Sequence, residues 1–269
     1  LTVTLRKSER AVVPAKQFIG QVNVNNLVSG NKRYVIDLFG GEGGAARGYS
    51  EAGFTVVGVD NDAERIARYP YSAYLGDWKL GLYYWLNRLG EERIAFIHAS
   101  PPCQFYSAAS EMARARGVAV NYPNLIPPVR EALTEVSSQE GVDYVIENVE
   151  YAPLRDPVVL CGSMFGLVST WKGTTVQLKR HRGFEATFPI QGMIDECGVL
   201  KAVPVYGHGA PGYREGDDFF KGKGFAKLTK DVMRIDWMSR RGLTESIPPV
   251  YSEYVGKAWK AALWCTFTD

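Results

Sequence analysis

YVIDLFGGEGGAARGYSEAGFTVVGVD, residues 34–60, decides the fold. Its opening, YVIDLF (34–39), is a short, mostly apolar run ended by glycines, the pattern of a strand buried in a parallel sheet. GGAARGYSEAG (43–53) carries Ala and Arg at helical spacing and closes on Gly53. FTVVGVD (54–60) is a second apolar strand. Strand, helix and strand in such quick succession make a βαβ unit, whose two strands run parallel.

The rhythm continues outward. Residues 74–77 read as a third short strand, 80–89 as a helix and RIAFIHAS (93–100) as a fourth strand. Segment 104–128 is polar and interrupted by prolines, so it reads mostly as loop. PPVREALTEVSS (127–138) suits a helix with Pro at its start, and DYVIENV (143–149) is a fifth strand. Strands alternating with helices over 34–149 predict the α/β class with a mixed, mostly parallel sheet. Residues 186–230 lose that rhythm and contain the glycine-rich GHGAPGYREG and KGKG. From Lys201 to Arg241 there are nine Lys and Arg against five Asp and Glu. A helix is expected again at YSEYVGKAWKAALW (251–264). The expected segments are a leader at 1–33, a main domain at 34–185, a small region at 186–235, and 236–269 returning to the main domain.

Composition narrows the class. With 269 residues, 46% hydrophobic and 22% charged, the chain can bury a full core and is not disordered, collagen-like or coiled-coil. A net charge of +2 excludes a globally basic coat but leaves room for a local basic face. No run approaches ~18 apolar residues, so no membrane span is expected. Residues 1–20 lack the apolar core of a signal peptide, and Leu1 in place of a Met points to a shortened chain. Cysteines at 103, 161, 197 and 265 form no CxxC pair. That argues against a disulfide framework and against structural zinc, so no metal is expected, and it suits a reducing, cytoplasmic compartment.

Phe39-Gly40-Gly41-Glu42-Gly43-Gly44 lies between strand and helix, and Gly41, Gly43 and Ala46 fit the GxGxxA form of a nucleotide-binding turn. Asp60, 19 residues after Gly41, stands where an acid binds ribose hydroxyls; it equally suits the cap of a helix over 62–68. Asp77 in LGDW suits an adenine amine or an ordinary turn. A nicotinamide dinucleotide and S-adenosylmethionine both remain open at this point.

His98-Ala99-Ser100-Pro101-Pro102-Cys103-Gln104 follows the fourth strand, and ligands collect at the carboxyl ends of strands in open parallel sheets. Cys103 reads either as a small buried apolar residue or as an exposed thiol presented by a stiff proline turn. Glu147-Asn148-Val149 ends the fifth strand on the same edge, where a carboxylate is either solvated or reactive. A thiol and a carboxyl on adjacent strand ends beside a nucleotide site suit nucleophile-plus-acid chemistry.

These segments together resemble the DNA cytosine-5 methyltransferases. DLFGGEGGAARGYSEAGF is similar to their adenosylmethionine loop, VDND and LGDW to the next cofactor segments, and SPPCQ to the nucleophile motif. IENVE is similar to the glutamate motif, KRHRGFE to the arginine motif and LTESIPPVYSEYVGK to the carboxy-terminal motif. They stand in family order from 34 to 257, and the short recognition region resembles bacteriophage or prophage members. The resemblance implies a Rossmann-like, class I SAM-dependent methyltransferase fold, with 34–185 as the SAM-binding catalytic domain and 186–235 as a small target-recognition region. It implies a monomer acting on double-stranded DNA in a bacterial or phage-infected cell, with the target cytosine flipped out of the stack.

By that resemblance Cys103 adds to C6 of the base and Glu147 holds N3 and the exocyclic amine. Arg182 binds O2, Arg180 supports the same loop, and nearby cations lower the Cys103 pKa. Phe39, Gly41, Gly43, Gly44, Asp60, Asn61, Asp77, Trp78, Pro101 and Lys257 are the implied cofactor residues. Gln104, Ser107, Arg114, Arg116, Tyr213, Arg214, Lys221 and Lys223 are the implied DNA residues; the charged ones equally suit plain surface. The chain departs from the family at Leu178, usually Gln, at Phe105, usually Pro, and at Lys257, frequently Asn. Two like charges ~4 Å apart cost ~4 kcal/mol at an effective dielectric of ~20. A lysine beside a sulfonium therefore suggests a carboxylated donor, carboxy-S-adenosylmethionine, and carboxymethyl transfer; solvent or a DNA phosphate is the plainer place for Lys257. A silent DNA-binding protein, a nicotinamide oxidoreductase and an RNA methyltransferase are the competing readings.

Overall fold

The computed structural model describes residues 18–19, 33–119, 121–195, 197–205 and 218–265. Nearly all of the leader expected at 1–33 lies outside them, as do Tyr213 and Arg214. Eleven strands and eight α-helices are formed by the described residues.

β2 (Tyr34–Leu38), β3 (Thr55–Asp60), β4 (Ser72–Leu75), β5 (Ile94–Ala99) and β6 (Asp143–Val149) pair in parallel in the order β4-β3-β2-β5-β6. β1 (Phe18–Ile19) adds antiparallel outside β4. β10 (Arg182–Ala186) and β7 (Val158–Leu160) return antiparallel beyond β6. The sheet is thus mixed, with its parallel strands at the centre. Strand order reverses at β2 and β5, and the crevice at such a switch point is where ligands bind in these sheets. Register places Leu38 opposite both Val59 and Ala99, and Ala99 opposite Ile146. The residues that follow, Phe39, Asp60, Ser100 and Glu147, therefore form one row along the carboxyl edge.

Helices cover both faces. α1 (Gly44–Glu51) starts after Gly43, which is left-handed at φ 88°. It packs against α8 (Pro249–Cys265), and two glycines make that approach possible. A Cβ on Gly44 would meet Ser246 Oγ at 1.8 Å, and one on Gly48 would meet the Pro249 carbonyl at the same distance. The carboxy-terminal segment is thereby packed against α1 and the glycine loop. α3 (Trp78–Leu89) begins two residues before the expected helix because Asp77 caps it, accepting from the Lys79 and Leu80 N–H groups. The helix after Asp60 is α2 (Ala63–Ile66), and its cap is Asp62 rather than Asp60.

The expected loop at 104–128 contains α4 (Ala108–Ala115). Its prolines, 123, 127 and 128, all lie past that helix, and Ser107 caps its start by accepting from Ser110 N–H. Pro127 and Pro128 instead sit in the first turn of α5 (Ile126–Glu140), where a missing N–H costs nothing. The small region takes in residues on both sides of β10. β8 (Val168–Trp171), β9 (Thr174–Leu178) and β11 (Lys201–Val203) form a second sheet, ordered β11-β9-β8. α6 (Phe225–Met233) packs on it, with Phe225 edge-on to Trp171. α7 (Arg240–Glu245) then leads back to the glycine loop. No helix among the described residues is long and apolar enough to cross a membrane.

Candidate active site

The row of strand ends opens into a cleft of about 410 Å³. One wall is the turn after β2. Phe39 is held at φ 61°, an uncommon conformation for a bulky residue and of the kind that clusters at functional sites. Its ring lies against Trp78 with centroids 5.9 Å apart. Asp60 receives the Gly41 N–H and the Asp62 N–H, one on each carboxylate oxygen, both at 2.9 Å. Asp60 therefore holds the glycine loop to β3 as well as lining the cleft. Gly41, Gly44, Asn61, Asp77, Trp78 and Pro101 also line it. Gly43 does not. Its glycine is required by the backbone and by Pro70, whose Cδ would lie 2.5 Å from a Cβ.

The opposite wall carries Cys103, Glu147 and Arg182. Arg182 Nε lies 3.2 Å from Glu147 Oε1, and both side chains are largely buried. The Asn148 side-chain amide donates to the Pro101 carbonyl at 2.8 Å, which pins the turn presenting Cys103 to the end of β6. Behind the carboxylate runs a buried chain: Ser100 hydrogen-bonds Glu147, Ser100 Oγ lies 2.8 Å from His98 Nε2, and His98 Nδ1 lies 2.8 Å from the Tyr49 hydroxyl. Burial lowers the His98 pKa to about 3, so its imidazole is neutral.

Cys103 is half-buried. Its pKa is raised, against the expectation of a lowered one. Burial is the larger influence; Arg182 and Arg180 pull it down and Glu147 pushes it up. In this state Arg182 spends its charge on Glu147. Burial also raises the Glu147 pKa, opposed by Arg182. Arg180 is not in the cleft wall. It is buried, donates to the Val205 carbonyl at 2.7 Å and the Thr244 carbonyl at 2.8 Å, and so joins β11's end to α7. Burial lowers its pKa to about 9, which leaves it cationic at neutral pH.

Lys257 is a correction. It sits on α8 outside the cleft lining, is mostly exposed and pairs with Glu253 one helical turn away at 2.5 Å. The geometric basis for a carboxylated donor is gone. Among the implied DNA residues, Gln104 lines the cleft and Ser107 caps α4. Arg114 donates to the Phe105 carbonyl at 2.7 Å and lies over its ring, so it is folded onto the loop. Arg116, Lys221 and Lys223 are exposed.

Asp37 was missed by the sequence reading. It is fully buried at the cleft, with Oδ2 bonded to the Tyr69 hydroxyl at 2.9 Å and Oδ1 without a partner. Desolvation raises its pKa to about 7; the Tyr69 hydrogen bond lowers it, while Asp60 and Glu147 raise it. The clue was visible: an acid inside an otherwise apolar strand. Glu42 was missed as well. It receives the Ser239 N–H at 2.7 Å and the Ser239 hydroxyl, anchoring the start of α7 to the glycine loop. Nothing local marks that pairing.

By sequence the chain matches no protein family. No curated protein matches it either. Its structure is similar to that of an E. coli prophage-encoded protein assigned as a DNA modification methyltransferase, with a TM-score of 0.54 and 15% identity over 86% of this chain and 99% of that one. It is also similar to a DNMT2 variant from Spodoptera frugiperda, with a TM-score of 0.51 and 14% identity over 85% of this chain and 100% of that one. At such identities the likeness is one of fold, a Rossmann-like α/β fold shared with those two proteins.

Proposed function

We propose that the chain is a DNA cytosine-5 methyltransferase, moving the methyl group of S-adenosylmethionine to C5 of a cytosine flipped out of duplex DNA. One observation carries the reading. Cys103, Glu147 and Arg182 share a single cleft with the Phe39 turn, Asp60 and Asp77. That combination has no use in hydride transfer, and an inactive DNA-binding relative has no need of all three reactive groups.

The residues present fit the donor. Phe39 and Trp78 supply an aromatic edge for adenine, and Asp60 and the uncapped oxygen of Asp77 supply acceptors for ribose and amine. The orphaned Asp37 Oδ1 is a buried acceptor suited to the cationic amino-acid end. When bound, the donor supplies an electrophilic methyl group. The chain's own residues do the rest. Cys103 passes its proton to solvent water and its sulfur adds to C6, so that C5 becomes nucleophilic. Glu147, whose raised pKa favours its protonated form, hydrogen-bonds N3 and the exocyclic amine and neutralises charge that builds up in the ring. Arg182, released from Glu147 by the base, binds O2 and stabilises the thiolate. After methylation solvent water takes the C5 proton, the freed electron pair re-forms the C5–C6 double bond, and the C6–S bond breaks to expel the Cys103 thiolate.

Mass analysis of nucleosides from duplex DNA incubated with S-adenosylmethionine tests this. 5-Methylcytosine is the expected product, and a duplex carrying 5-fluorocytosine should trap a covalent adduct at Cys103. Methylation on N4, or turnover without an adduct, overturns the reading.

A further inference from the structure

We propose that Cys161, His181, Asp195 and Cys197 bind a structural zinc ion that ties the segment 187–200 to the edge of the main sheet. The four donor atoms come from three separate stretches of chain and all lie within 4.8 Å of one another. Sequence spacing argued against zinc because no two cysteines are close in sequence; strand register brings the donors together instead. β10 pairs β7 with Arg182 opposite Leu160, so the residues just beyond, His181 and Cys161, meet at the paired strand ends. Asp195 and Cys197 reach them from the following loop, with His181 Nε2 2.7 Å from Asp195 Oδ2 and 3.5 Å from Cys197 Sγ.

The chemistry of the donor set selects the metal. Two thiols and an imidazole are soft or borderline ligands that favour zinc over magnesium or calcium. Four protein donors fill a tetrahedron, which marks a structural site rather than a catalytic one. Zinc bonds of ~2.0–2.3 Å hold donors about 3.3–3.8 Å apart, so small side-chain shifts from the observed spacing complete the site. Outer partners are in place. Ser163 Oγ and the Cys197 N–H donate to Asp195 Oδ1 at 2.5 and 2.9 Å, leaving Oδ2 toward the cluster. The Glu150 carboxylate stands 3.7 Å from His181 Nδ1, where a small shift would bring it to hydrogen-bond a metal-bound imidazole. A divalent ion bound here displaces one proton from each thiol.

The site would act through position. His181 lies between Arg180 and Arg182, and the 187–200 segment leads into β11 of the small sheet. Metal here fixes both arginines and the link from the cleft to the small sheet. The inference stands on the cluster alone, so metal content tests it separately from the methyltransferase reading.

The full chain, purified in reductant and dialysed against chelator-treated buffer, should retain one zinc per chain by plasma mass spectrometry. Cobalt substitution should give thiolate-to-metal charge transfer and the intense visible bands of a tetrahedral ion. Cys197→Ser should weaken zinc affinity at least ~100-fold, and Asp195→Asn at least ~10-fold, the scale of a disturbed ligand shell. Cys103→Ser should keep its zinc. Cys197 is on a loop, so its variant stays informative where the buried Cys161→Ser fails to fold. Reduced protein that binds neither ion, an octahedral cobalt spectrum, a Cys161–Cys197 disulfide as the stable state in reductant, or unchanged zinc affinity in Cys197→Ser overturns the proposal.

Discussion

The wall of the cleft bearing Phe39, Gly41, Asp60 and Asp77 comes from one continuous stretch of chain, residues 37–78, whereas the wall bearing Cys103, Glu147 and Arg182 gathers three segments from 103 to 182. The first is held by short-range devices: positive-φ turns, the Asp77 cap and the Asp60 bonds to Gly41 and Asp62. The second is held by long-range ones. Asn148 clamps the proline turn, β10 pairs β6 across Arg182 and Val149, and Arg130 grips Glu185 with two hydrogen bonds of 2.8 and 2.7 Å. The first wall is built within β2 to α3, with Glu42 its long-range tie to Ser239. The second wall, made from distant segments, needs β5, β6 and β10 paired, so its geometry depends on contacts far from the cleft.

The sharpest test of that division is Cys103→Ala. It should reduce transfer by at least about 10³-fold, on the side of the large losses seen when a nucleophile is removed, while calorimetry shows binding of S-adenosylhomocysteine unchanged. Loss of both would mean that the walls are not independent. Glu185→Ala tests the long-range support. It leaves the half-buried Arg130 with only its bond to the Pro153 carbonyl and should cost about 1–3 kcal/mol in urea unfolding.

Asp37 probes the local wall through pH. Its pKa rises from 3.8 unfolded to about 7 folded, so the native state keeps a proton that the unfolded chain has released. Its contribution is complete below pH 3.8 and is lost as pH rises through about 7, on the order of 4 kcal/mol over the full span. Asp37→Asn should flatten that component in urea titrations at a series of pH values. The same ionisation should make S-adenosylmethionine bind the wild type more tightly as pH rises through about 7, and the variant should lose this trend. The smallest effect belongs to Lys257→Ala: stability changed by no more than ~0.5 kcal/mol, as for an exposed i,i+4 pair, and donor affinity unmoved. A large loss of affinity would return Lys257 to the cleft.

Much of this was readable beforehand, for identifiable reasons. β2, β3 and β4 announced themselves as mostly apolar runs ending at Gly or Asp, because a strand buried on both faces is largely apolar. The thiol and the carboxyl stood at strand ends and were legible as neighbours once the sheet was parallel. The helix at 108–115 was hidden because prolines further along the segment coloured the reading of all of it. Asp37 was passed over because it sits within the strand pattern that identified the fold. β10 was hidden because it opens behind the basic run Lys179-Arg180-His181-Arg182; only pairing with β6 and β7 makes that segment a strand.

The residues alone determined the chain's class, the succession of its central strands along the chain and the groups at their carboxyl ends, since each rests on periodicity, turn chemistry and capping within a few positions. Tertiary structure alone decided that Lys257 faces away from the chemistry, that Arg182 meets Glu147, and that Cys161, His181, Asp195 and Cys197 converge. Those outcomes depend on antiparallel register and helix docking between segments far apart in the chain, where no local pattern states which partner will be met.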